Sequence, residues 1–386
     1  MGYPNVSSLA REREYIVHVV IFGSYAESLL NFRGSLLREL LANGYVVTAI
    51  APASSSEIQE QLATIGVSYF DIPLNRTGLN PCSDIKTLWK LLFLFIKIKP
   101  DVLITYTIKP VIYGSLASWL TGVPRQFALI TGLGYTFKSG PQIGYMRRLV
   151  YYLYKISLSK VTKVIFQNPD DEALFREIGI LKTTIPSCVV NGSGVDLADF
   201  GVTPLPTGQP IFLMIARLLG EKGVREYVEA SRLIRKIHPS VQCFLVGWID
   251  SSPDTIKQSE LDNWIAFGNI TYLGQLSDVR PAIASSSVYV LPSYREGTPR
   301  TVIEAMAMGR AIITTDAPGC RETVVADYNG FLIPVKSSDA LLQAMLKFVK
   351  NPALASYMGL RSRKIAEDKY DVHKVNAIML QEMGLL

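Results

Sequence analysis

The stretch Ser287–Val324, SVYVLPSYREGTPRTVIEAMAMGRAIITTDAPGCRETV, decides how the rest of the chain is interpreted. Its first residues, Ser287–Leu291, are apolar and β-branched, as is typical of a strand that is buried on both faces. A helix follows, for which the sequence predicts Thr298 as N-cap, Pro299 as the first helical residue and Gly309 as the left-handed stop. The stretch therefore indicates one strand–loop–helix unit of a parallel sheet.

The loop of this unit is predicted to bind anions. A strand, a tight loop and a helix start place backbone N–H groups and the positive end of a helix dipole at the carboxyl edge of a sheet. Glu296 in the loop and Glu304 in the helix flank this site. Because phosphates would repel a carboxylate, we expect each glutamate to accept hydrogen bonds from sugar or ribose hydroxyls. Either glutamate alone is more simply an ordinary solvated acid, but the register of the whole stretch favours binding.

Glu296 and Glu304 are separated by seven residues, which resembles the E-x7-E signature of the retaining family 4 glycosyltransferases. The sequence around them is most similar to the branch of this family that builds bacterial O-antigen, capsule and glycoprotein oligosaccharides on a lipid carrier. The resemblance implies the GT-B fold, an α/β architecture with two Rossmann-like doubly wound domains that face a cleft. It also implies that Glu304 holds the ribose and that Glu296 positions the donor sugar and supports an oxocarbenium-like centre. The donor-binding residues are then expected to be Glu304, Gly297, Thr298, Pro299 and Arg300.

A second loop is predicted to add positive charge to the same cleft. The predicted strand Ile211–Ile215 leads into Arg217, and Lys222 follows five residues later at a helix start. Solvated loop cations are the simpler interpretation of either residue, but the pair could also clamp a diphosphate. The segment resembles the R-x4-K-G motif of the same family, which implies a catalytic set of Glu296, Arg217 and Lys222. No DxD motif ends a strand, so we expect no metal and no cofactor besides the UDP-sugar donor substrate.

The length of 386 residues predicts two domains. Strands and helices alternate from Tyr15 to Thr131 and again after Pro210, which predicts two doubly wound parallel sheets. The predicted boundaries are 1–200 for an acceptor-binding domain and 208–369 for a nucleotide-sugar-binding domain. The resemblance implies that the final helix, within 370–386, packs back on the first domain.

The acceptor is expected against loops that follow strands in the first half. Many family members carry a histidine near the middle loop, whereas this chain has Tyr106 and Lys109, so a histidine-centred mechanism is not expected. Whether either residue is catalytic stays open. The resemblance implies a polyprenyl-diphosphate-linked saccharide as the acceptor. The candidate contacts are Gly23, Asn31, Tyr106, Lys109, Gly132 and Gly134.

Positive charge is concentrated in one part of the chain. Twelve basic residues and one acid lie between Lys86 and Lys163, although the formal net charge of the whole chain is only +6. The predicted helix around Trp89 and the stretch Tyr145–Lys163, read as a second helix, mix large apolar residues with cations, as is typical of helices in the interface of an anionic bilayer. Helices that simply cover the sheet are the alternative. The candidate membrane residues are Trp89, Arg147, Arg148, Tyr151 and Lys155.

The polar N-terminus does not resemble a signal peptide, and no apolar run is long enough to span a bilayer. The four scattered cysteines suit a reducing cytosol. We therefore expect a protein at the cytoplasmic face of the bacterial inner membrane, attached peripherally to an anionic membrane surface. Nucleic acid is not an expected partner, because no nucleic-acid module accompanies the basic residues.

The expected function is that of a retaining, metal-independent glycosyltransferase. It would move an N-acetylhexosamine or a hexose from a UDP-sugar to a polyprenyl-diphosphate-linked saccharide during surface-polysaccharide or glycan assembly. A UDP-sugar epimerase of GT-B fold is the alternative and would need no acceptor, whereas a non-catalytic membrane module would tolerate loss of Glu304. A dinucleotide oxidoreductase is disfavoured, because the segment Phe22–Tyr25 lacks the G-x-G-x-x-G pattern.

Overall fold

The computed structural model of the chain describes residues 16–75, 80–133, 144–250 and 252–386, apart from the side chains of Tyr145 and Met146. The strands of the N-terminal sheet are β1 His18–Phe22, β2 Val46–Ala51, β3 Ser68–Asp71, β4 Val102–Tyr106, β5 Arg125–Ile130, β6 Lys163–Phe166 and β7 Ser187–Val189. Those of the C-terminal sheet are β8 Ile211–Ile215, β9 Gln242–Val246, β10 Thr271–Tyr272, β11 Val288–Leu291, β12 Ala311–Thr315 and β13 Gly330–Ile333.

Helices connect these strands in both halves. The N-terminal half contains α1 Glu27–Asn31, α2 Gly34–Ala42, α3 Ser56–Thr64, α4 Pro81–Ile98, α5 Ile108–Thr121, α6 Gly144–Leu158 and α7 Pro169–Glu177. The helices that follow are α8 Val224–Ile237, α9 Gln258–Ala266, α10 Arg280–Ala284, α11 Arg300–Ala307, α12 Ser338–Lys350, α13 Ala353–Ile365 and α14 Val372–Met383.

Both sheets are parallel and wound in the same way. The strand order is β3-β2-β1-β4-β5-β6-β7 in the first sheet and β10-β9-β8-β11-β12-β13 in the second. In each order the chain turns back beside the first strand of its sheet, which creates a crevice at the carboxyl ends of the strands. The prediction of two Rossmann-like doubly wound halves is confirmed.

Alternating side chains of β1 show how the N-terminal sheet is covered. Val20 and Phe22 pack into the core under α4, α5 and α6, whereas Val19 and Ile21 pack into the core on the opposite face under α2 and α3. This follows from the two-residue repeat of a strand, which sends successive side chains to opposite faces. Since both faces are buried, the strand reads as one continuous apolar run.

The C-terminal helix α14 lies against the N-terminal half. Its apolar residues Val375, Met379 and Leu380 belong to the core under α2 and α3. Asn376 Nδ2 donates to Ser35 Oγ at 3.1 Å. The chain crosses over through a π-helical segment, Ala366–Tyr370, that directly precedes α14.

Two local predictions are wrong. Thr298 does not cap α11: Pro299 occupies that position, and the Thr298 hydroxyl donates instead to the Gln167 carbonyl of the N-terminal half at 3.0 Å. The stretch Tyr145–Lys163 is not one helix, since α6 ends at Leu158 and Lys163 begins β6, which pairs with β5. The predicted stop at Gly309 is confirmed by its φ of +78°.

Candidate functional site

The site begins where two neighbouring strands of the C-terminal sheet end. β8 and β11 pair in parallel, so the loops after both strands meet at the carboxyl edge. Gly223, at the start of α8, has a φ of +73°, and a Cβ there would lie 2.2 Å from the Pro292 carbonyl oxygen. Tyr294 N also donates to the Glu221 carbonyl at 2.8 Å. Only glycine permits this approach, which holds the two loops together.

Lys222 and Glu296 form the centre of the site. Lys222 Nζ lies 2.5 Å from Glu296 Oε1, and Ser293 Oγ donates to the same oxygen at 2.7 Å. Both ionic side chains are mostly buried. The sequence predicted the two residues separately, and the structure joins them in one ion pair. A charge-assisted bond of this kind fixes the carboxylate and the ammonium in the cleft.

Arg217 has a partner that the sequence did not reveal. Its guanidinium donates to Asp250 Oδ2 at 2.6 Å, while 31 % of the arginine side chain stays exposed. Asp250 follows β9, so its loop joins the same carboxyl edge. The partner orients the guanidinium and leaves part of it accessible to a phosphate.

Glu304 is not a surface acid, since it is only 7 % exposed. Burial raises the pKa of its carboxyl group, and the opposing effect of Arg300 does not cancel that rise. Arg300 Nε donates to Glu304 Oε1 at 2.8 Å. The same guanidinium also donates to the Asn31 carbonyl and lies 5.3 Å from the Phe32 ring centroid. Arg300 therefore links the predicted donor residues to the predicted acceptor half.

The loop around Gly297 contacts the N-terminal half directly. A Cβ on Gly297 would lie 2.4 Å from the Thr131 carbonyl oxygen, and the backbone of Gly132 lies beside it. Asn168 Nδ2 donates to the carbonyl oxygens of Glu296, at 3.2 Å, and Gly297, at 2.9 Å. Asn168 was not among the predicted site residues, although an asparagine before a proline is a recognisable signal for the start of a helix.

Two further ion pairs cross the cleft beside the site. Arg295, the neighbour of Glu296, donates through Nε to Asp171 Oδ1 at 3.1 Å. Arg321 donates to Asp170 Oδ2 at 2.8 Å. Both aspartates belong to the first turn of α7, so this helix holds the two halves together around Glu296.

On the N-terminal side, Tyr106 covers the glycine at the end of β1. A Cβ on Gly23 would lie 2.3 Å from the Tyr106 hydroxyl oxygen, and this hydroxyl lies 2.8 Å from Ser28 Oγ. Burial raises the pKa of Tyr106 to about 12. Its hydroxyl therefore stays protonated at neutral pH and is not a base there.

The predicted acceptor residues have different surroundings. Lys109 is buried and forms an ion pair with Asp84 at 2.8 Å. Asn31 is exposed, with its carbonyl bonded to Arg300. Gly134 lies outside the described residues. The structure brings Gly23, Asn31, Tyr106 and Gly132 to the cleft edge. The ammonium group of Lys109 is instead paired with the carboxylate of Asp84.

Arg33 is a buried cation that the candidate list did not include. It lies directly before α2 and is only 3 % exposed. Its guanidinium carbon lies 5.2 Å from the Tyr106 ring centroid, and its Nε has no hydrogen-bond partner in the described part of the chain. The sequence signal was the segment Asn31–Gly34, which follows the first loop of the sheet.

The candidate membrane residues lie on helices that cover one face of the N-terminal sheet. Trp89 and Phe93 of α4 are 57 % and 67 % exposed, and Ile85 and Ile96 extend the same apolar stripe. On α6 the exposed residues are Arg148, Tyr152 and Lys155, whereas Arg147 and Tyr151 are partly buried. Among the described residues, none of the helices has the length and apolar character to cross a membrane.

The described ranges also contain no cluster of three or more His, Cys, Asp or Glu side chains that could hold a metal ion. The acids at the site are paired with cations instead.

Two family models match the chain. "Glycosyl transferases group 1" matches residues 196–365 and "Glycosyl transferase 4-like" matches residues 18–168. The chain is a glycosyltransferase. The first match contains all eight predicted catalytic and donor-binding residues, which are Arg217, Lys222, Glu296, Gly297, Thr298, Pro299, Arg300 and Glu304.

Curated relatives of this glycosyltransferase are enzymes of similar length. One is the N,N'-diacetylbacillosaminyl-diphospho-undecaprenol alpha-1,3-N-acetylgalactosaminyltransferase of Campylobacter jejuni, 28 % identical over 341 residues, which are 85 % of this chain and 88 % of that protein. Another is the UDP-Gal:alpha-D-GlcNAc-diphosphoundecaprenol alpha-1,3-galactosyltransferase of Escherichia coli, 27 % identical over 303 residues, covering 75 % and 76 % of the two chains.

Solved structures agree on the fold. Sucrose-phosphate synthase from Thermosynechococcus elongatus superposes with a TM-score of 0.77 at 18 % identity, covering 95 % of this glycosyltransferase and 98 % of that chain. Anabaena HepE, in complex with UDP and glucose, has a TM-score of 0.76 at 15 % identity, covering 96 % and 100 %. The fold of this glycosyltransferase is therefore GT-B.

Proposed function

We propose that this glycosyltransferase moves a sugar from a UDP-sugar to a polyprenyl-diphosphate-linked saccharide, with retention of configuration and without a metal ion. The observation that carries the proposal is the paired arrangement of Lys222 with Glu296 and Arg300 with Glu304, beside Arg217, at one sheet edge. The names of the two relatives, both of which specify a diphospho-undecaprenol acceptor, support the choice of acceptor. The UDP bound to HepE supports the choice of nucleotide.

The donor is held by charge and hydrogen bonds from the C-terminal half. Glu304 accepts hydrogen bonds from the ribose hydroxyls. Arg217 and Lys222 bind the diphosphate and stabilise the negative charge that develops on it as the bond to the sugar breaks. Their present partners, Asp250 and Glu296, keep both cations fixed before the donor arrives. The same two cations supply the charge that a metal ion provides in other transferases.

Glu296 acts on the sugar itself. Its Oε1 is engaged by Lys222 and Ser293, so the carboxylate is a fixed hydrogen-bond acceptor for a sugar hydroxyl and a negative charge near the oxocarbenium-like centre. The bond from the anomeric carbon to the diphosphate oxygen breaks, and a bond to the acceptor oxygen forms on the same face. The acceptor hydroxyl gives its proton to the departing phosphate oxygen.

The exposed face of α4 contacts the membrane, from which the protein takes its lipid-linked acceptor. We assign membrane contact chiefly to the exposed stripe Ile85, Trp89, Phe93 and Ile96, with Arg148 and Lys155 on α6 attracting anionic lipid. We propose that the protein attaches in this way to the cytoplasmic face of the inner membrane.

Vesicle sedimentation tests this attachment. Trp89→Ser/Phe93→Ser should release the protein from vesicles that contain phosphatidylglycerol, and Arg147→Glu/Arg148→Glu/Lys155→Glu should weaken binding further at low salt. Phe267→Ser is the matched control, since Phe267 is an aromatic of the C-terminal half that is 79 % exposed. Unchanged binding of both multiple variants would contradict the attachment.

The transferase proposal is tested by nucleotide release. UDP-, GDP- and ADP-sugars are offered with and without polyprenyl-diphosphate-linked saccharide, in EDTA, and the anomeric configuration of the product is determined by NMR. We expect UDP release that depends on the acceptor. We also expect the new glycosidic bond to have the same anomeric configuration as the sugar in the donor. Isomerised UDP-sugar without an acceptor would identify an epimerase, and release that requires a divalent cation would contradict metal independence.

A further inference from the structure

Arg33 is a buried cation that has no counter-ion among the residues that the structure describes. Its side chain is only 3 % exposed, its Nε has no hydrogen-bond partner, and within the described part of the chain no carboxylate forms an ion pair with it. Burial lowers its pKa to about 10, so the guanidinium remains charged at neutral pH. Removing a charge from water is unfavourable unless a partner replaces the water. The partner of Arg33 is therefore expected to come from outside the protein.

The surroundings of Arg33 hold its guanidinium in place but do not neutralise it. The Tyr106 ring lies 5.2 Å from the guanidinium carbon and supports one side of it. Tyr106 is itself fixed by the hydrogen bond of its hydroxyl with Ser28. The neighbouring strand β4 leads to a contrasting case. Lys109, at the start of α5 after this strand, is also buried but has Asp84 as its partner.

A second guanidinium approaches the same place from the other half. Arg300 donates to the carbonyl of Asn31 and lies over the Phe32 ring, which are the two residues before Arg33. Its charge contributes to lowering the pKa of Arg33, after burial and against the opposing effect of Tyr106. Within the described ranges, Arg300 forms an ion pair with one carboxylate, that of Glu304. Counted over the residues that the structure describes, this part of the cleft edge has two guanidinium groups and one carboxylate.

We propose that Arg33 and Arg300 form a second anion site, on the acceptor side of the cleft, that binds a diphosphate group. A diphosphate carries more than one negative charge, and its oxygens match the forked donors of two guanidinium groups. The site is distinct from the pair Arg217 and Lys222, which lies after β8 in the other half. This inference rests on the proposed function, because two diphosphates occur in that reaction, one on the donor and one on the lipid-linked acceptor.

The test uses the full-length protein and three variants. Arg33→Met removes the charge and keeps an unbranched apolar stem, and Arg33→Lys keeps the charge but not the fork. Arg38→Met, an exposed arginine one turn further along α2, is the matched control. Calorimetry with inorganic pyrophosphate needs no turnover, so it stays informative even if the proposed transfer reaction fails. Pyrophosphate can occupy both diphosphate sites. We therefore expect wild type to bind two equivalents, Arg33→Met to lose at least tenfold in affinity at one of them, and Arg38→Met to match wild type.

Two kinetic arms identify which diphosphate is bound. If the acceptor supplies it, Arg33→Met raises the KM for the lipid-linked acceptor at least tenfold and leaves the Kd for UDP within twofold. If the donor supplies it, the Kd for UDP rises at least tenfold instead. Arg33→Lys should recover part of the lost affinity in either case, since charge is restored. Unchanged pyrophosphate affinity in Arg33→Met, together with a lower unfolding midpoint than Arg38→Met, would identify Arg33 as a structural cation and overturn the proposal.

Discussion

The two sides of the cleft use buried charge differently. On the C-terminal side, each predicted cation already has a carboxylate partner: Lys222 has Glu296, Arg300 has Glu304 and Arg217 has Asp250. On the N-terminal side, Lys109 is buried with Asp84 as its partner, whereas Arg33 lacks a carboxylate partner among the described residues. Burial of a cation therefore does not by itself indicate that it binds an anionic ligand. The partner of the cation, or the lack of one among the described residues, has to be known as well.

The largest expected effect is on stability, and it separates the two buried cations of the N-terminal side. Lys109→Met should lower the free energy of unfolding by about 3–5 kcal/mol, because the Asp84 charge is left buried without its partner. Urea denaturation measures this effect. The double variant Lys109→Met/Asp84→Leu should recover most of the lost free energy of unfolding. Arg33→Met should lower the free energy of unfolding far less than Lys109→Met, because it leaves no buried carboxylate without a partner. Equal losses for Lys109→Met and Arg33→Met would remove the distinction between them.

The next largest effect concerns catalysis at the C-terminal side. Arg217→Ala should lower kcat by about 10²–10³-fold, which is the usual result of removing one preorganised group that stabilises developing charge. The rate of UDP release at saturating donor and acceptor measures it. Arg232→Ala, an exposed arginine paired with Glu229 on the outer surface of the same half, serves as the control. A kcat within a factor of two of wild type would exclude Arg217 from the diphosphate clamp.

A smaller effect is expected from Glu304, and it depends on pH. Burial raises the pKa of this carboxyl group above that of an ordinary glutamate. The carboxylate accepts the ribose hydroxyls only when ionised, so UDP affinity should fall on acidification at a higher pH than an ordinary glutamate would cause. The total loss on protonation is about 1.5–3 kcal/mol, the value of a hydrogen bond to a charged group.

Calorimetric titration with UDP across the acid range measures this dependence. Glu304→Gln is the control, since its amide does not titrate and any remaining slope belongs to the ligand phosphates. The difference between the two profiles should follow one protonation. Parallel profiles for wild type and Glu304→Gln would show that Glu304 does not bind the nucleotide.

The smallest expected effect comes from an ion pair on the surface. Lys163 and Glu382 lie 2.8 Å apart and connect β6 to α14, but both are partly exposed. Lys163→Met should change the free energy of unfolding by only about 0.2–1 kcal/mol, because water screens the pair and solvates either charge alone. The same urea series measures it. A loss as large as that of Lys109→Met would mean that burial does not explain the difference between the two lysines.

Much of the fold could be predicted because its signals are local. The bounds of β8 were predicted to the residue, since an apolar run marks them within a few positions. The location of Glu304 on a buried strand–loop–helix unit followed in the same way. The strand β6 was missed because its four residues continue the apolar and basic pattern of α6.

The partners at the site could not be predicted, because they come from distant parts of the chain. Asp250 lies 33 residues from Arg217, Asp84 lies 25 residues from Lys109, and Asn168 lies 128 residues from Glu296. Only the winding of the sheets brings these residues together. For this reason Lys109 was predicted as an acceptor contact without its buried partner Asp84 being known. Arg33 was not predicted as a contact at all.

The most direct test of the account compares the affinity of wild type and Arg217→Ala for UDP and for uridine. If the carboxyl edge of β8 and β11 holds the donor diphosphate, wild type binds UDP at least tenfold more tightly than uridine, and the variant loses that advantage while it keeps its affinity for uridine. If uridine binds wild type as tightly as UDP does, or if Arg217→Ala retains the full advantage, the diphosphate lies elsewhere and the assignment of this edge to the donor is wrong.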